Sequence, residues 1–174
     1  MDTRAPKPDP SALSRFKPGD LYRKAMAPLQ GKVSIYDGPQ TYLRQLIEVT
    51  REQGLLMAAF WCASEVCNGG FHQFFSNPTG VLAPEAVRGF EFLGMTEVAR
   101  IVAKAMERMG TPYPREEARR HQILSGLEPA REVPEDWRGP FQDLDQAFYK
   151  VTGSLRFQDQ ADDFVRRHLD LFFK

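Results

Sequence analysis

Chemically versatile side chains concentrate in one passage: Glu65-Val66-Cys67-Asn68-Gly69-Gly70-Phe71-His72-Gln73-Phe74-Phe75-Ser76-Asn77-Pro78-Thr79-Gly80. A carboxylate, three amides, an imidazole and a thiol fall beside the Gly69-Gly70 pair and three phenylalanines. One reading is a tight interhelical corner, in which glycines let backbones approach, aromatics plug the core, and Glu65, Asn68, Gln73 and Asn77 bond to loop backbone. The other is a binding surface made of Glu65, Asn68, Gly69, Gly70, Phe71, Gln73 and Asn77. There the glycines shape the backbone, the amides and Glu65 supply hydrogen bonds, and Phe71 gives apolar contact.

Catalytic and cofactor chemistry finds little else to work with. His72, His121 and His168 are far apart and show no HxxxH or HExxH spacing, so no zinc motif is expected and no metal is assigned. Neither a GxxxxGK[ST] nor a GxGxxG phosphate loop is present, and no cofactor is implied. The GxSxG elbow is missing, and Ser64 and Ser76 have no matched base. Cys62 and Cys67 are five residues apart, roughly 140° around a helix, and read as reduced thiols rather than a disulfide. Glu65 with His72 is the one titratable pair that could serve an enzyme or small-molecule pocket. No residue is assigned as catalytic, and the balance falls on a chain that is not an enzyme.

The elements that position this passage read as helical. Tyr42, Leu43, Leu46, Ile47 and Val49 follow a helical stripe after the turn signal Asp37-Gly38-Pro39. Thr50 and Gln53 have capping-box spacing, and the helix they open carries Leu55, Leu56, Ala59, Phe60, Ala63, Val66 and Cys67 on more than one face. That pattern predicts a central helix stopped by Asn68-Gly69-Gly70, with Phe71 to Phe75 as a short apolar turn. Pro84 starts another helix ending at Gly94. Thr96 can cap the next, which ends at Gly110, and the charged segment from Pro114 to Leu124 reads as a surface helix. Loop signals fill Gly126 to Pro140, with Trp137 as a core-edge cap or surface anchor. Helices then follow over Phe141 to Tyr149 and Gln158 to Phe173. With no alternating β-branched pair, the fold class is all-α: one compact bundle of about six to eight helices whose central helix ends in a Gly-Gly-Phe corner.

Composition narrows the partners. The chain has 174 residues, 42% hydrophobic, with 23 basic and 23 acidic side chains and a formal net charge of zero. That balance argues against direct nucleic-acid binding. Residues 1–31 form a Pro-rich, mildly basic leader, expected to be partly ordered, with six basic and three acidic residues; residues 32–174 form the helical domain. The longest nearly unbroken apolar run, Leu55 to Ala63, is well short of the ~20 residues needed to span a bilayer, and no secretory h-region opens the chain. A cytoplasmic location and no membrane partner are expected.

The run from Glu65 through Asn68-Gly69-Gly70-Phe71, Gln73-Phe74-Phe75, Asn77 and Gly80 resembles the signature of the bacterial DNA-mimic protein C-terminal-like domain family. The resemblance continues through Phe92-Leu93-Gly94-Met95, Leu144-Asp145-Gln146-Ala147-Phe148 and the amphipathic stretch around Phe164 to His168. It implies an all-helical fold and, for most members, no established activity. It also brings the idea of an acidic surface imitating DNA phosphates, against which the zero net charge argues. Asp143, Asp145, Asp159, Asp162, Asp163 and Asp170 could form a local acidic patch, although Arg166 and Arg167 lie within helical reach. The function expected is a protein–protein interaction or regulatory module. A pocket at Glu65, Asn68, His72 and Gln73 is the alternative, and local DNA mimicry the second.

Overall fold

A computed structural model describes residues 2–128, 139–154 and 156–174. Nine α-helices occur among the described residues: α1 (Asp20–Met26), α2 (Gly38–Leu46), α3 (Arg51–Ser76), α4 (Ala83–Phe92), α5 (Thr96–Arg108), α6 (Glu117–Leu127), α7 (Gln142–Ser154), α8 (Phe157–Arg167) and α9 (Leu169–Phe172). Short 3-10 turns span Pro10–Arg15, Ala27–Leu29 and Pro78–Leu82. The fold is all-α, and the only β-type pairing described is an isolated bridge between Ala5 and Phe173. The helix number slightly exceeds six to eight. One cause is a break at His168, which separates α8 from α9 where the periodicity reads as continuous.

The centre of the bundle is α3. Thr50 accepts the Gln53 backbone N–H at 3.3 Å, as the capping spacing predicts. The reciprocal half of a capping box is replaced: Thr3 Oγ1 accepts the Thr50 N–H and donates to Gln53 Oε1 at 2.7 Å. Gln53 Nε2 then donates to Ala25 O at 2.9 Å, which ties the early chain to the start of α3. Leu55, Leu56, Met57, Ala58, Ala59, Cys62, Ala63 and Val66 are all buried, so α3 packs on several sides. It lies closest to α4 at Gly89, where an added Cβ would sit 2.3 Å from Leu55 O. Only glycine fits that crossing.

A remote side chain holds the start of α1: buried Asp162 of α8 accepts the Gly19 and Tyr22 N–H groups at 2.6 and 2.8 Å. Pro84 lies in the first turn of α4, and Gly94 and Gly110 follow α4 and α5 at positive φ, as expected. Thr96 does not cap α5; Met95 occupies that position without a side-chain bond. No helix among the described residues is long and apolar enough to cross a membrane. Trp137 and most of the loop from Gly126 to Pro140 lie outside the described residues.

Candidate functional site

The central helix does not end at the glycines. Gly69 (φ −154°, ψ 24°) and Gly70 (φ 75°, ψ −177°) kink α3, and the chain resumes helical form immediately, so Phe71 to Phe75 are a helical arm rather than a turn. Gly70 sits in a backbone region open essentially to glycine alone. The kink is held from outside by Asp145 of α7, whose Oδ1 accepts the Phe71 N–H at 2.7 Å. A Cβ on Gly70 would lie 2.8 Å from that carboxylate. Burial pushes the Asp145 pKa up, while the Phe71 N–H pulls the other way.

The kink folds the polar residues of the passage onto one another. Glu65 Oε2 accepts from Gln73 Nε2 at 2.6 Å and Asn77 Nδ2 at 2.9 Å, and Oε1 accepts from Thr79 Oγ1 at 3.1 Å. Asn68 Nδ2 donates to Gln73 Oε1 at 3.1 Å. Three donors on one carboxylate make it the hub that locks both arms of α3 together. These bonds run between side chains, not to loop backbone as the corner reading supposes.

Above this network lies an open hollow of about 630 Å³ lined by Ser64, Glu65, Cys67, Asn68, Gln73 and Asn77. Four of the seven expected site residues therefore share one shelf, with Gly69 exposed at the kink. Gly70 and Phe71 face the other way. Phe71 is 0% exposed, stacks on Phe75, and meets Phe141 and the edge of Phe148, so its ring is core rather than surface contact. Ser64 and Cys67 belong to the shelf but carry no motif that would have marked them.

A second layer holds the far end of the helical arm. Arg120 is only 1% exposed and donates to Phe75 O at 2.7 Å, to Asn77 O at 2.9 Å, and to Arg115 O. It satisfies carbonyls that the end of α3 leaves without helical partners. The segment expected at the surface thus buries one of its arginines. Tyr113 donates to Gly80 O at 2.7 Å, and His121 Nε2 lies 2.6 Å from Ser76 O. The sequence hint available is that Arg120 follows Arg119 in a helix whose apolar residues form no clean stripe.

The acid–base pair does not assemble. Glu65 is engaged by Gln73, Asn77 and Thr79, whereas His72 Nε2 points to Glu128 Oε1 at 3.5 Å. Burial pushes both thiols up, Cys62 strongly, which disfavours the nucleophilic thiolate. Among the described residues no group of three His, Cys, Asp or Glu side chains has metal-holding geometry.

The acidic residues near the C-terminus are largely engaged as well. Asp143 forms a two-point pair with Arg108, Asp163 meets Arg166, Asp170 meets Lys7, and Asp145 and Asp162 accept backbone N–H groups. Comparison with curated proteins and with solved structures finds no match. A family model described as DMP19-like protein matches residues 47–168, a span that contains the kink, the Glu65 hub, Asp145 and the Arg120 layer. On that match, the chain belongs to the DMP19-like protein family.

Proposed function

We propose that the protein is an interaction module that docks a protein partner on the shelf formed by Ser64, Glu65, Cys67, Asn68, Gln73 and Asn77. The observation that carries this reading is the openness of a rigid polar surface: four side chains are fixed by mutual hydrogen bonds, yet the hollow over them is wide and unenclosed. Small-molecule sites are concave and bury most of their ligand; a fixed amide shelf instead suits the peptide groups and polar side chains of a protein surface. Preorganised side chains lose little entropy on binding. Glu65 acts as the positioning group, and Asn68 and Asn77 present the remaining amide valences.

DNA mimicry fits less well. It requires unpaired carboxylates in a phosphate-like stripe, and five of the six aspartates named above have cationic or backbone partners. The test is affinity capture from the source cell lysate with the full chain, with Ser64→Arg, and with competing duplex DNA. Ser64 is exposed and outside the hydrogen-bond network, so S64R fills the shelf while leaving the melting temperature unchanged. The expected result is one stoichiometric partner, lost with S64R and indifferent to DNA. Retention by S64R would move the surface elsewhere, and displacement by DNA would restore mimicry.

A further inference from the structure

A second concavity lies away from the shelf, where α1 and its following turn leave the flank of α3. Its walls are Met26, Leu29, Val33, Met57, Phe60 and Trp61, with Tyr36 standing 76% exposed at the lip. The volume, about 590 Å³, falls within the range of ligand pockets. The outer wall is fixed in place: Ser34 N donates to Gln45 Oε1 of α2 at 2.7 Å, and Lys32 N and Val33 N both donate to Leu29 O. A groove with a braced wall receives a ligand at a reduced ordering cost.

One charge lines this apolar groove among the described residues, and it is Arg23. Arg23 and Phe60 also border the neighbouring hollow lined by Tyr22 and Gln158, so Arg23 stands where the two concavities meet. It donates to Gly19 O at 3.0 Å and lies 5.2 Å from the Tyr22 ring centre, and no carboxylate among the described residues pairs with it. A guanidinium has five donors in a fork suited to a carboxylate, so most of its capacity remains for a ligand. Apolar walls with a single cation at the edge complement an apolar body that ends in an anion.

From this arrangement we infer that the groove binds an amphipathic carboxylate, an alkyl or aryl chain lying against Trp61 and Met57 with its carboxylate on Arg23. The inference is independent of the shelf, because no residue is shared between the two linings. The chain has two tryptophans, so Trp137→Phe leaves Trp61 as the only reporter. That protein is titrated with sodium decanoate, 1-decanol and decyltrimethylammonium, each below its micellar or solubility limit, while Trp61 fluorescence and melting temperature are followed.

The expected result is saturable one-to-one binding of decanoate, at least tenfold tighter than decanol, with a rise in melting temperature. Arg23 is exposed, so Arg23→Gln keeps the fold and removes the advantage of decanoate over decanol. Ala27→Phe, at an exposed lining position, blocks both. Equal affinity for decanoate and decanol, an undiminished preference in R23Q, binding that survives A27F, or no response to any probe would each overturn the inference.

Discussion

Replacing Gly70 by alanine separates the two glycines of the kink and puts a magnitude on it. The Gly70 backbone (φ 75°, ψ −177°) is one that residues with a Cβ rarely adopt, at about 1–3 kcal/mol. The new methyl would also lie 2.8 Å from the Asp145 carboxylate and displace it from the Phe71 N–H, a hydrogen bond to a charged group worth about 1.5–3 kcal/mol. Gly70→Ala is therefore expected to cost about 3–5 kcal/mol. Gly69→Ala makes a useful contrast: its backbone lies at negative φ, and its added Cβ meets the far end of the Gln73 side chain, which can swing away. The cost there is the loosened Gln73 bonds, about 1–2 kcal/mol. Urea unfolding of both variants, and of Gly70→Ala combined with Asp145→Ala, completes the test. Because Asp145→Ala removes the clash and the bond together, the double variant should fall short of the sum of the singles by about 1–3 kcal/mol. Equal costs at the two glycines, or strict additivity with Asp145, would refute the reasoning.

Removing the buried Arg120 fork by Arg120→Ala orphans the Phe75, Asn77 and Arg115 carbonyls, with an expected loss of about 3–5 kcal/mol in urea unfolding; Arg120→Lys recovers little, since one ammonium cannot span three acceptors. Glu85 pairs at two points with Arg115 and receives the Tyr42 hydroxyl, so Glu85→Gln leaves a largely buried cation and costs about 3–5 kcal/mol, while Glu85→Gln with Arg115→Met recovers part of it by calorimetry. The two α7 aspartates respond to pH with opposite signs. The Arg108 hydrogen bond lowers the Asp143 pKa, so its stabilisation is present above 3.8 and lost as pH falls below it. Burial raises that of Asp145, so the folded state favours its protonated form; that pH-dependent increment is full below 3.8 and lost as pH rises through the elevated value, while the Phe71 N–H bond persists to the carboxylate. Melting temperatures across the acid range should show a flatter acid limb for Asp143→Asn, and no loss of the Asp145 contribution on raising pH for Asp145→Asn.

Helix class and order follow from local rules that this chain obeys. The Thr50–Gln53 cap, Pro84 in a first turn, and Gly94 and Gly110 after helix ends all act within a few residues, so sequence spacing carries them; the stripe before Thr50 holds only in part, since α2 ends at Leu46 and leaves Leu43 and Ile47 exposed. The kink was harder to read, because a glycine pair that stops a helix and one that bends it look alike until Asp145, 74 residues from Phe71, supplies the outside hydrogen bond. Glu65, Asn68, Gln73 and Asn77 were legible as a group because their spacing in sequence is short. Their bonding to one another depends on the bend. Phe71, which the sequence allows either as a core plug or as surface contact, and Arg120, read as part of a surface helix, are settled only by the tertiary structure, for related reasons. A phenylalanine beside polar residues gives no sign of which way its ring turns, and an arginine's burial depends on carbonyls presented by another helix.

Cys67 gives the most direct test of the docking shelf. It lines the hollow and is exposed, whereas Cys62 is buried and serves as an internal control. Alkylation of the native chain by N-ethylmaleimide, followed by mass spectrometry with and without the captured partner, measures access to that surface at one atom. Partner binding should slow modification of Cys67 at least tenfold in the wild-type chain and leave it unchanged in S64R, with Cys62 unmodified throughout. Equal Cys67 labelling of the free and fully bound wild-type chain would contradict docking on the shelf.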